Sequence, residues 1–292
     1  MMLIMILFKY MTVIMYKPID TQRSVTMSAK PVVLITGASA GIGAVYADRF
    51  AQRGHDLVLV ARDQPRLEAL AARLRERDGV NVEILRADLT QQADLEQVEA
   101  RLANDAGIGV LVNNAGTAAA GTFVEQGAEV VSKLIALNAT AVARLAAAVA
   151  PRFAREGQGA IVNVASVLGL VPEYHATLYG ATKAFVLFLS QGLHVELGPK
   201  GVYVQAVLPG ATRTDIWSHA GKDVNELNGV MEVDDLVDAA LAGYDLRETV
   251  TIPPLPDDQQ WKTFEAARQA MAANFGQSKP AARYRATATE AK

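Results

Sequence analysis

Short apolar runs rich in β-branched residues recur along the chain at Val32–Ile35, Leu57–Val60, Val82–Leu85, Val110–Val112, Ala160–Val164, Val202–Val207 and Thr249–Ile252. Polar and apolar positions hardly alternate within them, which is the pattern of strands covered on both faces by helices. Longer segments of helical spacing lie between. Pro65–Arg77 sets Leu67, Leu70, Ala71 and Leu74 on one stripe, with Arg and Glu opposite. Thr140–Arg155 and Tyr179–Leu197 repeat that spacing over greater lengths. Strand, helix, strand repeated six or seven times predicts an α/β fold: a doubly wound parallel sheet of about seven strands with helices on both faces. Right-handed crossovers then place every strand's C-terminal end on one edge, where ligands bind.

No composition break interrupts the chain between Ala29 and about Pro256, so residues 28–256 are expected to form one domain. Within it, Pro209–Glu232 has turn residues and scattered apolar groups but little periodicity, and a long insertion on the ligand edge reads as a substrate loop. Residues 257–292 are expected to add a C-terminal helix and, beyond Phe275, a mobile tail. The first residues are rich in Met, Ile and Leu, but Lys9 ends the apolar run after eight residues, far short of the roughly 20 that span a bilayer. No membrane span is expected, and no basic start or small-residue cleavage site marks a secretory signal. Met27 opens a stretch, MSAKPVVLITG, that reads as a natural beginning. Residues 1–27 are therefore expected to be a disordered leader or the product of an upstream start codon; a membrane-surface or partner-binding peptide is the alternative.

Composition narrows the chemistry. Of 292 residues about half are apolar and a fifth charged, and the formal net charge is −3, with no Lys/Arg cluster of the kind that binds nucleic acid. There is no cysteine, which excludes disulfides, thiolate zinc sites and cysteine nucleophiles and is compatible with the reducing cytoplasm, the expected location. The four histidines show no H-x-x-x-H spacing, so no metal site is expected.

The stretch TGASAGIG, Thr36–Gly43, follows the first strand directly and precedes a helix starting near Gly41, with Ile42, Val45, Tyr46 and Phe50 inward. Such a turn aims free backbone N–H groups and the positive end of a helix at one point, a phosphate site. Gly43 is followed by Ala44-Val45 rather than Lys-Ser/Thr, which rules out a P-loop. The spacing G-x-x-x-G-x-G also differs from G-x-G-x-x-G, and taken alone it leaves open a turn that merely joins strand to helix. At the end of the second strand Arg62 stands where a cofactor 2′-phosphate would sit, although Asp63 follows it; a solvated surface arginine is the competing reading.

Four further segments occur at later strand ends: Asp88-Leu89, Asn113-Asn114-Ala115-Gly116, Ser166, and Pro209-Gly210; Tyr179-Gly180-Ala181-Thr182-Lys183 opens the long helix. Together with T-G-x-x-x-G-x-G this set resembles the short-chain dehydrogenase/reductase family, in its shorter single-domain branch, over roughly Lys30–Ile252. The nucleotide-sugar epimerase branch, with T-G-x-x-G-x-x-G, is dissimilar. The resemblance implies a Rossmann-type fold and an oxidoreductase moving hydride between a nicotinamide and a carbonyl or secondary alcohol. With Arg62, NADP(H) is expected and NAD(H) is the lesser candidate. Gly37, Ser39, Gly41, Ile42 and Gly43 would hold the pyrophosphate. Asp88 and Leu89 would lie near the adenine, and Asn114, Ala115 and Gly116 beside the adenosine ribose. Pro209, Gly210, Thr212 and Thr214 would lie near the carboxamide and phosphates.

The resemblance assigns catalysis to Asn138, Ser166, Tyr179 and Lys183. Tyr179 and Lys183 are four apart on a helix, so both side chains leave one face. A phenol with an ordinary pKa near 10 exchanges protons poorly at neutral pH, and a nearby ammonium is expected to bring that value down. Lys183 would also hold the nicotinamide ribose, Ser166 would bond the substrate oxygen, and Asn138 would hold a water leading from Lys183 to solvent. Read singly, Asn138 is a helix cap and Ser166 a turn residue. The pocket is expected to be lined by Leu168, Leu170, Val171, Tyr174, Ile216 and Trp217, which suits a small to medium, apolar carbonyl or alcohol; His175 is read as a loop histidine. The long helices Thr140–Arg155 and Tyr179–Leu197 suggest a homodimer or homotetramer, as the family pairs such helices. A catalytically silent NADP-binding sensor or scaffold of the same fold is the alternative.

Overall fold

The computed structural model describes residues 30–285; the expectations for the leader, 1–27, and for the end of the tail, 286–292, fall outside them. Seven parallel strands form one sheet in the order β3-β2-β1-β4-β5-β6-β7. They are β1 (Val32–Thr36), β2 (Leu57–Ala61), β3 (Val82–Arg86), β4 (Ile108–Asn113), β5 (Ala160–Val164), β6 (Tyr203–Val207) and β7 (Val250–Thr251). Each expected strand is present, its ends within two residues of the expected ones.

The lack of alternation in the strands has a direct cause. Val33 and Ile35 of β1, with Leu57 and Leu59 of β2, face α1 (Gly41–Gln52), α2 (Gln64–Asp78) and α8 (Val233–Asp245), burying Tyr46, Phe50, Leu67, Leu74 and Val237. The intervening Leu34, Val58 and Val60 face the other way, onto Leu95, Val98 and Leu102 of α3 (Gln92–Asn104) and Leu145, Val149 and Phe153 of α5 (Val142–Glu156). Both pleat faces are cores, so both sets of positions are apolar.

The helical rod before β5 is longer than its spacing indicates. It begins not at Thr140 but as α4 (Ala128–Ile135), and a π-helical segment, Ala136–Ala141, joins α4 to α5. Its length and apolarity would suffice for a membrane span, yet Leu145, Val149 and Phe153 lie in the sheet's core. Helix α6 (Thr177–Leu197) packs on β6 through Val186 and Leu187, and Trp261 of α9 (Asp258–Ala272) closes over them. Residues 209–232 carry one short helix, α7 (Ile216–His219), and a 3₁₀ turn at Val224–Glu226. The loop's two ends are tied by Met231 N–H to the Ala211 carbonyl at 2.8 Å and Arg213 N–H to the Met231 carbonyl at 3.0 Å.

The connections run outward in opposite directions from β1 and β4. The crevice opens at that reversal, above the C-terminal ends of the strands.

Candidate active site

The glycine turn is anchored from below. Thr36, fully buried at the end of β1, accepts the N–H groups of Asn114 and Ala115 on its Oγ1, each at 3.0 Å. The Asn114 amide in turn donates to the carbonyls of Thr36 at 2.9 Å and Gly37 at 3.2 Å. Gly37 (φ +66°) and Gly41 (φ +52°) adopt left-handed conformations that side chains disfavour. Ala40, at the N-cap of α1, has no side-chain oxygen to claim the helix's first N–H groups. Gly37, Ser39, Gly41 and Ile42 line a cleft, whereas Gly43 lies beneath it. A Cβ on Gly43 would stand 2.3 Å from the Gly37 carbonyl oxygen, so its part is to let α1 tuck under the turn.

At the neighbouring strand ends, Arg62 is exposed on the cleft wall and forms no salt bridge among the described residues. Asp63 is the N-cap of α2, accepting the Arg66 N–H at 3.1 Å. Arg66, one helical turn beyond Arg62 and not singled out by the sequence, also lines the cleft; its guanidinium reaches Asp63 and Asp215, each at 3.4 Å. Burial pushes the Asp88 carboxyl up, but the hydroxyl and N–H of Thr90, at 2.7 and 3.0 Å, and the charges of Arg62 and Arg86 prevail and hold it below its ordinary range. Leu89, Asn114, Ala115, Gly116, Pro209, Gly210, Thr212 and Thr214 complete this half of the cleft.

Ser166, Tyr179 and Lys183 meet where β5 and α6 converge. The 3₁₀ turn Val167–Gly169 lies directly on α6: a Cβ on Gly169 would be 2.8 Å from Ala184 N, and one on Gly180 would be 2.7 Å from the Leu168 carbonyl oxygen. That close approach sets Ser166 beside the half-buried Tyr179, its hydroxyl accepting the Leu168 N–H at 3.1 Å and donating to the Pro209 carbonyl at 3.4 Å. Burial raises the Tyr179 phenol and the Ser166 hydroxyl offsets only part of that, leaving it at about 12. The expected lowering by Lys183 is not found. Its ammonium donates to the Val164 carbonyl at 2.9 Å and stands 5.6 Å from the centre of the phenol ring. Burial alone holds the lysine down, to about 8.

Asn138 is neither a cap nor a cleft residue. It sits in the π segment, fully buried. Its Oδ1 accepts the Thr117 N–H at 2.9 Å, and its Nδ2 donates to the Thr117 carbonyl at 2.8 Å and to Thr182 Oγ1 at 3.2 Å. The Thr182 hydroxyl donates onward to the Tyr179 carbonyl at 2.7 Å. A Cβ on Gly116 would lie 3.4 Å from both Asn138 Oδ1 and Lys183 Nζ, so the strand-end glycine is what leaves room beside them.

The cleft measures about 1380 Å³ and runs from the glycine turn past Tyr179 to an apolar half. Leu168, Val171, Tyr174, Ile216 and Trp217 line that half as expected, joined by Phe123, Leu134 and Leu137 from the α4 side and by His175 and His219. Leu170 turns away and packs with Val186 and Leu187. Leu134 and Leu137 precede the helical spacing that starts at Thr140, so that spacing does not predict them.

A family profile described as short chain dehydrogenase matches residues 31–225. A short-chain dehydrogenase from Sphingobium yanoikuyae, solved in complex with NADPH, is 64% identical; the match covers 87% of this chain and 100% of that one, with a TM-score of 0.86. The bulky-bulky ketone specific alcohol dehydrogenase from Comamonas testosteroni is 56% identical over 88% of this chain and 99% of that one, with a TM-score of 0.83. The very-long-chain 3-oxoacyl-CoA reductase of Bos taurus is 38% identical over 182 residues, 60% of this chain. The chain spans about 57% of the length of that curated relative.

Proposed function

The chain belongs to the short-chain dehydrogenase family, and we propose that it reduces ketones flanked by bulky apolar groups, using NADP(H). One observation carries this reading: Ser166, Tyr179 and Lys183 converge at the junction of a phosphate-type glycine turn and a wide apolar pocket.

The residues present fit a dinucleotide. The uncapped start of α1 and the left-handed Gly37 and Gly41 offer backbone N–H groups to a pyrophosphate. Arg62 and Arg66 offer two guanidiniums at the position of a 2′-phosphate. The NADPH complex of the Sphingobium relative supports the same choice. When bound, the cofactor supplies the hydride that adds to the carbonyl carbon. Ser166 and Tyr179 hydrogen-bond the carbonyl oxygen and stabilise the charge that develops on it. With its pKa held near 12, Tyr179 is protonated throughout the neutral range and delivers its proton to that oxygen. Lys183, one turn along α6, would hold the ribose of the bound cofactor with its ammonium.

The substrate class follows from the lining. Apart from Arg62, Arg66 and Lys183, assigned above to the cofactor, Lys222 is the one Lys or Arg among the described residues that line the cleft. A coenzyme A thioester, with several phosphate charges, would call for more cations than that, so the ketone reading suggested by the Comamonas relative is preferred to the acyl-CoA one. The same reading takes the protein as a cytoplasmic homo-oligomer. A silent sensor would have no use for a phenol set between Ser166 and Lys183 in the cleft.

The test is Tyr179→Phe, assayed with NADPH and a diaryl or branched ketone. The expected outcome is a loss of about 10²–10⁴ in kcat with NADPH affinity changed less than about threefold. Turnover within tenfold of the parent would remove Tyr179 as the acid. A parent enzyme inert toward a broad ketone panel, yet binding NADPH, would favour the sensor.

A further inference from the structure

The ion pair between Arg66 and Asp215 joins two parts of the cleft that have separate tasks. Arg66 lies on α2, on the wall proposed above for the 2′-phosphate; Asp215 belongs to the substrate loop and immediately precedes α7 with Ile216 and Trp217. We propose that a 2′-phosphate and Asp215 compete for Arg66, so that the substrate loop registers which nicotinamide cofactor is bound. The inference rests on the NADP(H) reading of the preceding section.

Four observations carry it. First, the two arginines are not equivalent. Arg62 has no salt bridge among the described residues, whereas Arg66 is held by Asp63 and Asp215 at 3.4 Å each. Asp63 stands on Nε and Asp215 on Nη1, so a phosphate that takes the Nη1–Nη2 edge of Arg66 while reaching Arg62 competes with Asp215. Asp63 is also bound as the N-cap of α2, which leaves Asp215 as the more easily exchanged partner.

Second, the Arg66–Asp215 pair is open to water, with 58% and 72% of the two side chains exposed. An exposed carboxylate pair of that kind is weak, while a dianionic phosphate presents more charge and more acceptors to the same fork. The exchange runs toward the phosphate.

Third, the loop is fastened unevenly. Its base is tied by the Ala211–Met231 and Arg213–Met231 backbone bonds, and Arg213 pairs within the loop, with Glu232 at 2.8 Å and Asn225 at 3.0 Å. Asp215 provides the ion pair that crosses to the cofactor wall. The adjacent Thr214 leans over the glycine turn, its Cγ2 3.1 Å from where a Cβ on Gly41 would be.

Fourth, Asp215 occupies the N-cap position of α7 without capping it: its backbone is helical (φ −65°, ψ −8°) and its side chain accepts no helix N–H. Released from Arg66, the carboxylate is one backbone rotation from the extended geometry in which aspartate caps a helix. The loop thus has two places for one carboxylate. The second would re-aim Ile216 and Trp217, both in the cleft lining.

Fluorescence reads this directly, because the chain has two tryptophans and Trp261 lies on α9, outside the cleft. In a Trp261→Phe background Trp217 is the only tryptophan, read by selective tryptophan excitation, and the probes are 2′,5′-ADP and 5′-AMP, which differ by the 2′-phosphate. The expected results are that 2′,5′-ADP shifts Trp217 emission whereas 5′-AMP at saturation does not. In Asp215→Asn, 2′,5′-ADP should bind about two- to fivefold tighter by calorimetry, 5′-AMP should be unchanged, and the emission shift should be lost. Equal emission changes with both probes, or an unaltered 2′,5′-ADP affinity in Asp215→Asn, would overturn the exchange. If 2′,5′-ADP binds no better than 5′-AMP to the parent, it is the NADP(H) reading itself that fails.

Discussion

Lys183 is buried as a cation, and its energetics can be stated with a sign. Its folded-state pKa, near 8, lies below the ordinary lysine value of about 10.4, so from pH 8 to 10.4 the unfolded chain binds more protons and stability rises with pH. Below about pH 8 the full cost of the buried charge is in force, offset in part by the bond to Val164 and by the face of the Tyr179 ring. Lys183→Met should therefore stabilise the cofactor-free protein at pH 7 by on the order of 3 kcal/mol while abolishing turnover. The gain should shrink to nothing by about pH 10.5. Urea unfolding at pH 7, 9 and 10.5 checks this; a Met variant less stable at pH 7 would mean that the Val164 bond and the ring contact outweigh desolvation. Such a trade of stability for a placed charge is what an active site requires. The sequence disclosed that Tyr179 and Lys183 share a helix face, but not which way the ammonium points. That is set by the Val164 carbonyl at the end of β5, a tertiary neighbour with no trace in local spacing.

At the level of elements, the strands were legible and the π segment was not. Strands covered on both faces leave uninterrupted apolar runs, and a glycine turn behind one of them announces a phosphate. The π segment has no such signature, since ALNATA reads as ordinary helix. Its single irregular turn nevertheless decides where Asn138 goes: inward to Thr117 and Thr182 rather than to a helix end. Arg66 was legible in principle, being four residues after Arg62, but nothing in local spacing tells that α2 turns its guanidinium along the cleft wall toward Asp215. Thr182 is the joint between the π segment and α6. Its hydroxyl accepts from Asn138 and donates to the Tyr179 carbonyl, with 4% of the residue exposed. Thr182→Val keeps the shape and leaves the Asn138 amide short of a buried partner, for which the expected loss is about 1–3 kcal/mol in denaturant unfolding. Thr182→Ser keeps the hydroxyl and should lose less than half as much. Equal losses in the two variants would mean that the methyl packing matters and the joint does not.

On the scale of the whole molecule, one feature of α6 is unexplained by the fold of a single chain. Phe185, Phe188 and Val195 are 44%, 76% and 72% exposed, and at offsets of three and ten residues they fall on one side of the helix. The three make an apolar strip along α6 that solvent alone would disfavour. The opposite side of α6 is committed, with Val186 and Leu187 buried against β6 and Tyr179 and Lys183 at its N-terminal end. A second copy of the chain, meeting this strip about a two-fold axis, would cover it with its own equivalent and brace the helix that carries the reacting groups. On the proposed homo-oligomer, light scattering should return a multiple of 31.2 kDa for the parent protein. Phe188→Glu, which places two like charges across the axis, should return 31.2 kDa. The monomer should also unfold at lower temperature, because α6 loses its outer cover, and its kcat should fall more than its affinity for NADPH, since the glycine turn is on the far side of β1. A parent protein that already runs as a monomer would show that this strip is not an interface between copies, and that α6 holds Tyr179 and Lys183 by its inner face alone.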